Sequence, residues 1–188
     1  MTNPLTTIAD SDFAFANSIV RVIANRNSSG IELAGVSIGP FEEGQEYEVL
    51  FWVAQELERA GMARFKEEEQ LDTVKLHKIH WKERIQPSGQ IAPLLENFYP
   101  KLRRLIADLK KDAMKNPEKM NECEKTVGIS RDIVNCRLRK IVSLASAQAR
   151  ANDAVRNLTK EEQVLYEYLY KITNKWREKI LAEGAKQT

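Results

Sequence analysis

The sequence predicts an α+β protein, mainly α, in which a small β-rich N-terminal domain precedes an all-α helical-bundle domain. Short β-branched runs separated by turn residues fill residues 18–70, a pattern typical of short strands. From residue 91 onward, apolar residues recur at helical spacing instead. The charge also changes. Residues 1–90 hold 9 Lys and Arg against 14 Asp and Glu, a net charge of −5, whereas residues 91–188 hold 20 against 13, a net charge of +7. This asymmetry indicates two modules with different partners.

The first half begins with residues 1–17, which we expect to be a loosely held tail. The small β-rich domain of residues 18–70 then contains four strand patterns and one helix pattern. The helix pattern, FWVAQELERA, ends just before Gly61, and glycine favours the position just past a helix end. The strand patterns are SIVRVIANRN, IELAGVSIG, the alternation of Tyr47 with Val49, and MARFKEEE.

Residues 71–90 are predicted to be a linker with a short helix that ends at the breaker QPSGQ. The helical domain, residues 91–188, opens with an apolar stripe that runs to Leu109. Pro100 interrupts this stripe, so the sequence predicts a kink or two helices that meet near Phe98 and Tyr99.

Two further helices follow, each with a start signal. Ser130 is a plausible N-cap for the first. Thr159 and Glu162 have the spacing of a capping box for the second, which we expect to run to about Leu181.

Arg137 falls inside the predicted apolar arc of the helix after Ser130. A guanidinium that points into a core needs an acidic partner, because an unpaired buried charge is very costly. We therefore predict a structural ion pair between Arg137 and Glu161 or Glu162, while a phosphate contact is the alternative. The apolar arc consists of Val134, Leu138, Ile141, Val142 and Ala145.

The aromatic residues of the helical domain have two interpretations. In one, Val164, Leu165, Tyr168, Leu169, Ile172 and Trp176 form one broad core face of the last helix, and Tyr166 and Tyr170 lie on the surface. In the other, a second face is buried against a neighbouring subunit, where tyrosine and tryptophan are enriched. The candidate subunit-interface residues are Phe98, Tyr99, Leu102, Leu165, Tyr166, Tyr168, Leu169 and Trp176.

The basic residues of the helical half leave nucleic-acid binding open. An alternative function is a winged-helix-like DNA-binding protein that places its basic half on phosphates. Its only candidate reading helix, FWVAQELERA, is acidic and apolar, which disfavours base reading. Weak DNA contact is compatible with either function, and its candidate residues are Lys101, Arg103, Arg104, Lys110 and Lys111.

The sequence predicts neither an enzyme nor a bound cofactor. It contains no nucleophile motif and no glycine-rich phosphate loop. His77, His80 and Glu83 have the H-x-x-H-x-x-E spacing, which could present two imidazoles to one metal. However, these two histidines are the only ones in the chain and their flanks are amphipathic, so the sequence disfavours a metal site.

Three features place the chain in a reduced, intracellular setting. Two cysteines, Cys123 and Cys136, lack zinc-site spacing and do not make a disulfide framework. The longest apolar run, VLFWVA, is too short to cross a bilayer. The first residues lack the pattern of a secretion signal.

Several strings together resemble archaeal GINS subunits of the replicative helicase complex. GPFEEGQEYEVLFWVAQELERAGMARF resembles their small β-rich B domain, and KIHWKERIQPSGQIAPLLENFYPKLRRLI resembles the linker and first helical segment. CRLRKIVSLA and NLTKEEQVLYEYL resemble helices of the A domain. The strings cover about residues 20–180, in the order of the class in which the β domain comes first.

The resemblance implies a non-enzymatic scaffold of DNA replication, cytoplasmic and associated with the nucleoid. It implies assembly with other GINS subunits into a homo- or heterotetramer, largely through A-domain helices. It also implies that the assembly bridges the MCM helicase ring and a Cdc45 or RecJ-like partner. DNA would be contacted only indirectly or weakly, and no membrane would be involved.

Overall fold

The computed structural model of the chain describes residues 4–33, 35–67, 70–87, 90–147 and 152–183. The chain forms two compact units, a β unit of Asp12–Leu71 and a helical unit of Met1–Ser11 with Asp72–Thr188. In these ranges, the five strands lie in the β unit and most helices in the helical unit, which confirms the predicted α+β, mainly α, class. Within the described ranges, no helix combines the length and apolar character that a bilayer crossing requires.

The β unit is built on a three-stranded antiparallel sheet with β1 in the centre. The strand order is β4-β1-β5, while β2 and β3 pair with each other as a separate hairpin. The elements of this part of the chain are α1 (Pro4–Ala16), β1 (Ile19–Ala24), β2 (Ile31–Leu33), β3 (Val36–Ile38), β4 (Glu46–Leu50), α2 (Phe51–Arg59) and β5 (Ala63–Phe65).

The core of the β unit is apolar. Side chains alternate along β1, so that Val20, Val22 and Ala24 are buried. The helix α2 covers this face with Val53 and Leu57. Among the described residues of this unit, no charged side chain is buried.

Two elements of the first half differ from the sequence prediction. Residues 4–16 form helix α1 where a loose tail was expected, although residues 1–3 lie outside the described part. The string IELAGVSIG forms two strands instead of one, because Gly35 adopts a positive φ of 80° and turns the chain between β2 and β3.

The helical unit is organised around one long helix, α5. Because α5 packs against α3, α4 and α7, it has neighbours along several sides. The predicted breaker QPSGQ lies partly outside the described residues, at positions 88 and 89. The helices are α3 (Thr73–Ile85), α4 (Phe98–Lys115), α5 (Met120–Ala145), α6 (Asn152–Arg156) and α7 (Lys160–Glu183).

The prediction at Pro100, a kink or two helices that meet near Phe98 and Tyr99, is wrong. Residues 91–97 are not helical, and α4 begins at Phe98 after Asn97, whose φ is 54°. Pro100 therefore lies in the first turn, where a backbone N–H has no partner within the helix and proline is tolerated.

The predicted N-cap at Ser130 is also wrong, because α5 already begins at Met120. Ser130 is an interior position whose hydroxyl donates to the carbonyl of Thr126 at 2.7 Å. Cys123, Thr126 and Ser130 are buried, so packing against neighbouring helices maintains a helix through residues of modest helix propensity.

The capping box of α7 has the predicted geometry. The Glu162 N–H donates to Oγ1 of Thr159 at 3.3 Å, and the Thr159 N–H donates to Oε2 of Glu162 at 3.0 Å. This reciprocal pair satisfies two backbone donors that the helix itself leaves open.

Candidate functional site

Arg137 lies at the centre of the helical unit and is fully buried. Its Nε and Nη2 donate to the two oxygens of Glu162 at 2.8 and 2.6 Å, and its Nη1 donates to Oε1 of Glu83 at 3.0 Å. The carbonyls of Ala92 and Asn157 accept the other two bonds, at 2.7 and 3.4 Å. All five guanidinium N–H groups are therefore hydrogen-bonded.

The two carboxylates around Arg137 are satisfied as completely. Glu162 also accepts bonds from the hydroxyl of Tyr99 at 2.7 Å and from the N–H of Thr159, while Glu83 accepts a bond from Nζ of Lys140 at 2.8 Å. The charges of Arg137, Lys140, Glu83 and Glu162 sum to zero. We call these four residues with Tyr99 the buried network; it joins α3, α4, α5 and α7.

The network has clear effects on two proton equilibria. Burial disfavours the charged form of Arg137, but its hydrogen bonds and the charges of Glu162 and Glu83 outweigh burial, so its pKa lies above the ordinary value. Burial, the charge of Glu162 and the hydrogen bond to that carboxylate all raise the pKa of Tyr99. Both groups therefore keep their protons.

The two acids that the sequence predicts as possible partners of Arg137 have different contacts in the structure. Glu162 contacts the guanidinium, whereas Glu161 accepts a hydrogen bond from the hydroxyl of Ser11 at 2.6 Å. The sequence interpretation missed Glu83 and Lys140. Lys140 follows Arg137 by three residues, a spacing that places two side chains on one helix face and could have indicated a second buried cation.

The predicted apolar arc of α5 is only partly its core face. The buried face contains Ile133, Ile141, Leu144 and Ala145 together with the two cations. Val134, Leu138 and Val142 are instead exposed, at 40%, 42% and 44%. The cations occupy core positions because acids on α3 and α7 meet them there, and the apolar stripe is turned toward solvent.

On the last helix, α7, the buried and exposed residues also differ from those predicted. Tyr166, expected on the surface, is buried and stacks on Tyr170 with ring centroids 5.8 Å apart. Tyr168, Ile172 and Trp176, which one interpretation placed in the core, are exposed. The exposed residues therefore differ from those that either interpretation placed on the surface, and burial of a second face against a neighbouring subunit stays a prediction.

The eight candidate interface residues therefore divide into three groups. Phe98, Leu102 and Tyr166 are buried within the chain's own core, so we withdraw them from the interface. Tyr99, Leu165 and Leu169 are half-buried. Tyr168 and Trp176 are exposed.

A groove lies between the exposed stripe of α5 and the beginning of α7. It has a volume of about 320 Å³, and Leu138 of α5 and Leu165 of α7 both line it, with Ile8 and Pro4 of α1. From Leu165, the α7 stripe continues at helical spacing. We call the exposed residues of the two stripes the apolar band: Val134, Leu138, Val142, Tyr168, Ile172 and Trp176.

The candidate metal-binding residues have other partners in the structure. Glu83 of the H-x-x-H-x-x-E string is occupied by Arg137 and Lys140, and Nε2 of His80 lies 3.6 Å from Oδ2 of Asp132. Within the described ranges, no cluster of three metal-ligating side chains occurs, and both cysteines are free thiols.

The five candidate DNA-contact residues lie on α4. Lys110 and Lys111 are exposed, whereas Lys101, Arg103 and Arg104 are half-buried. Arg104 forms an ion pair with Asp108 at 3.4 Å. Direct DNA contact through these residues stays a prediction.

Comparison with known proteins identifies related sequences over most of the chain. Residues 63–181, more than half of it, match the family model described as the GINS complex protein helical bundle domain. Residues 7–65 match the model described as the PSF2 N-terminal domain. The Homo sapiens DNA replication complex GINS protein PSF2 is 28% identical over 146 residues, which cover 78% of this chain and 75% of the human protein.

Proposed function

Because this chain belongs to the family of GINS complex proteins, we propose that it is a PSF2-like, non-enzymatic subunit of a DNA replication complex. Its helical unit binds sibling subunits in a homo- or heterotetramer. The assembled complex bridges the MCM helicase and a Cdc45 or RecJ-like partner in the cytoplasm, at the nucleoid, and contacts DNA weakly or indirectly. In this proposal the helical domain assembles with the sibling subunits, and the β-rich domain docks a partner or stabilises the tetramer.

The apolar band is the observation that carries this proposal. It exposes six large apolar side chains on two packed helices, and Trp176 alone is 63% exposed. Grouped apolar surface of this kind marks a protein interface more often than scattered exposed residues do. Tryptophan and tyrosine are the residue types that most often contribute binding energy at such interfaces.

The buried network gives the band a defined shape. Arg137 joins α5 to α3 and α7, and Tyr99 adds α4, so that all four helices are connected through fully hydrogen-bonded groups. A surface whose helices are already fixed loses less conformational entropy when a partner binds. We infer that the charged core pre-organises the docking face.

Base reading by the β unit has little support. On α2, the exposed residues Glu56 and Glu58 bring negative charge, and Arg59 forms an ion pair with Glu56. Two exposed carboxylates on a reading helix would repel the phosphates of a duplex.

The test is the mass of the full-length protein in solution, alone and after co-expression with candidate sibling subunits. We expect a multimer, or a chain that becomes stable only with its siblings. Leu138→Glu and Trp176→Glu should each weaken the assembly by at least about 30-fold, corresponding to about 2 kcal/mol for a central interface residue.

Met114→Glu provides a matched control, because Met114 is 83% exposed on α4 and lies outside the apolar band. It should leave the assembly mass unchanged. A stable monomer that ignores every co-expressed sibling, or equal effects of all three substitutions, would contradict the proposal.

A further inference from the structure

Strand β4 lies at an edge of the sheet, and within the described ranges it pairs with β1 alone, so one of its sides has no partner strand there. The N–H of Ala24 donates to the carbonyl of Gln45 at 3.0 Å, and the N–H of Phe51 donates to the carbonyl of Ser18 at 2.9 Å. Because hydrogen-bonded positions alternate in an antiparallel pair, positions 45, 47, 49 and 51 face β1. The backbone groups of Glu46, Glu48 and Leu50 therefore point away from the sheet.

A cavity of about 380 Å³ lies beside this edge. One side is formed by residues 47–50 and the other by residues 37–39, which include the end of β3. Among the described residues, β3 pairs only with β2. Two strands that lack a partner on one side therefore border the same open space, which we call the slot.

The slot suits an extended chain. The five residues of β4 span about 16 Å, at about 3.3 Å per residue. A short strand that pairs with this edge would satisfy the outward N–H and C=O groups, the mode of recognition known as β-augmentation. The lining offers apolar contacts through Ile19, which is 67% exposed, and through the half-buried Ile38 and Leu50.

Charge indicates which extended chain fits. Lys66 pairs with the carboxylate of Glu46 at 2.8 Å, whereas Glu48, which is exposed and lines the slot, forms no ion pair with any described residue. A second copy of the same edge would be a poor partner, since two-fold pairing centred on Glu48 places two carboxylates opposite each other. A strand with a lysine or arginine at that position meets Glu48 favourably.

We propose that the slot between β3 and β4 binds an extended segment of a partner protein. The segment pairs with the outward edge of β4, packs alternate apolar side chains on Ile19, Ile38 and Leu50, and places a basic side chain beside Glu48. This site lies within the β unit and does not depend on the subunit assembly proposed for the helical unit.

The test uses the full-length protein and a panel of blocked eight-residue peptides that alternate valine with threonine and carry one lysine at successive positions. Backbone amide signals of residues 37–39 and 46–50 should shift on titration, and one lysine position should bind best. Hydrogen exchange of the Glu48 amide should slow by about 10-fold or more, because the amide becomes bonded.

Two changes separate backbone pairing from charge. Glu48→Pro removes one outward N–H at an edge position where proline is tolerated, and should weaken the best peptide by about 10-fold or more. Glu48→Gln keeps the N–H and should weaken it by no more than about 5-fold, the range of an exposed ion pair.

A further experiment uses only the wild-type protein, so its result does not depend on whether a variant folds. The best peptide, methylated on the alternate amides that would face β4, should lose its binding to the wild-type protein. The proposal is overturned if no peptide shifts the amides of residues 46–50 at about 1 mM, if the methylated peptide binds as well as its parent, or if a folded Glu48→Pro protein binds undiminished.

Discussion

The two units of this chain differ in whether they bury charged side chains. The β unit has an apolar core of sheet and helix side chains with no buried charge among its described residues, whereas the helical unit buries Arg137, Lys140, Glu83 and Glu162. The helical unit also exposes tyrosine, tryptophan and branched apolar residues along α5 and α7. Removing one member of such a buried charge network leaves an uncompensated charge, which is strongly destabilising, whereas the exposed apolar residues are the surface that we propose for subunit contacts.

The difference explains how each unit can serve recognition. The site that we propose in the β unit uses the outward backbone groups of β4, which can hydrogen-bond an extended chain. The site that we propose in the helical unit uses the side chains of the apolar band, which can be buried against a complementary helix surface. The two sites therefore differ in chemistry and can be changed separately.

The largest effect should come from the charge at the centre of the helical unit. Arg137→Met leaves two buried carboxylates without their shared cation, and we expect the free energy of unfolding of the helical unit to fall by about 3–5 kcal/mol. Urea unfolding followed by circular dichroism measures this. Arg139→Met, an exposed change two residues away on the same helix, should cost less than about 0.5 kcal/mol.

Adding Glu162→Gln to Arg137→Met should recover part of the loss, because it removes the carboxylate that is left without a cation, whereas Glu83 keeps its pair with Lys140. A loss of less than about 1 kcal/mol for Arg137→Met, within the range of ordinary substitutions, would remove the contrast between the two cores.

A smaller effect should appear at high pH, through Tyr99. Its folded-state pKa is raised while its unfolded-state value is about 10, so the stability that its protonated form contributes is complete below pH 10 and is lost as the pH rises above it. Between those two pKa values, Tyr99 contributes a loss of about 1.4 kcal/mol per pH unit.

Tyr99→Phe should therefore be less stable near pH 8, by about 1 kcal/mol for one hydrogen bond, but should lose stability less steeply above pH 10. Urea midpoints of both proteins from pH 8 to pH 11 test this. Parallel curves for the two proteins would show that Tyr99 does not join the network in solution.

The smallest effect concerns the start of α7, where Glu162 serves both the helix cap and Arg137. Thr159→Ala removes the hydroxyl that accepts the Glu162 N–H, so we expect a loss of about 1 kcal/mol. Thr159→Ser keeps the acceptor and should lose much less. Differential scanning calorimetry compares the three proteins, and equal melting temperatures would argue that the buried pair alone positions Glu162.

Local patterns were most reliable where a short-range rule applied. The β-branched run of β1, the helix before Gly61 and the capping box at Thr159 all depend on neighbours within a few residues, and each is observed. Predictions failed where distant residues intervened. Pro100 lies in the first turn of α4, because residues 91–97 are not helical. Ser130 lies inside α5, because this helix already begins at Met120, ten residues earlier.

The assignment of helix faces shows the same limit. Helical spacing placed Arg137 within the predicted apolar arc, and Arg137 is buried. Leu138 and Val142 belong to the same predicted arc, but both are exposed. Nothing in their spacing says where α3, α4 and α7 lie. Likewise Tyr166 and Tyr168, two residues apart, exchange the expected core and surface positions once α7 packs on α5.

Residue order alone specifies two units, their secondary-structure classes, the opposite net charges of the two halves and the need of Arg137 for an acid. The choice of Glu162 and Glu83 as its partners, the outward turn of the apolar band and the slot beside β4 all arise in three dimensions. The physical reason is the distance along the chain over which each interaction acts. Propensity, capping and periodicity act over a few residues, whereas ion pairs and burial depend on which helices and strands, far apart in the chain, come together in the folded molecule.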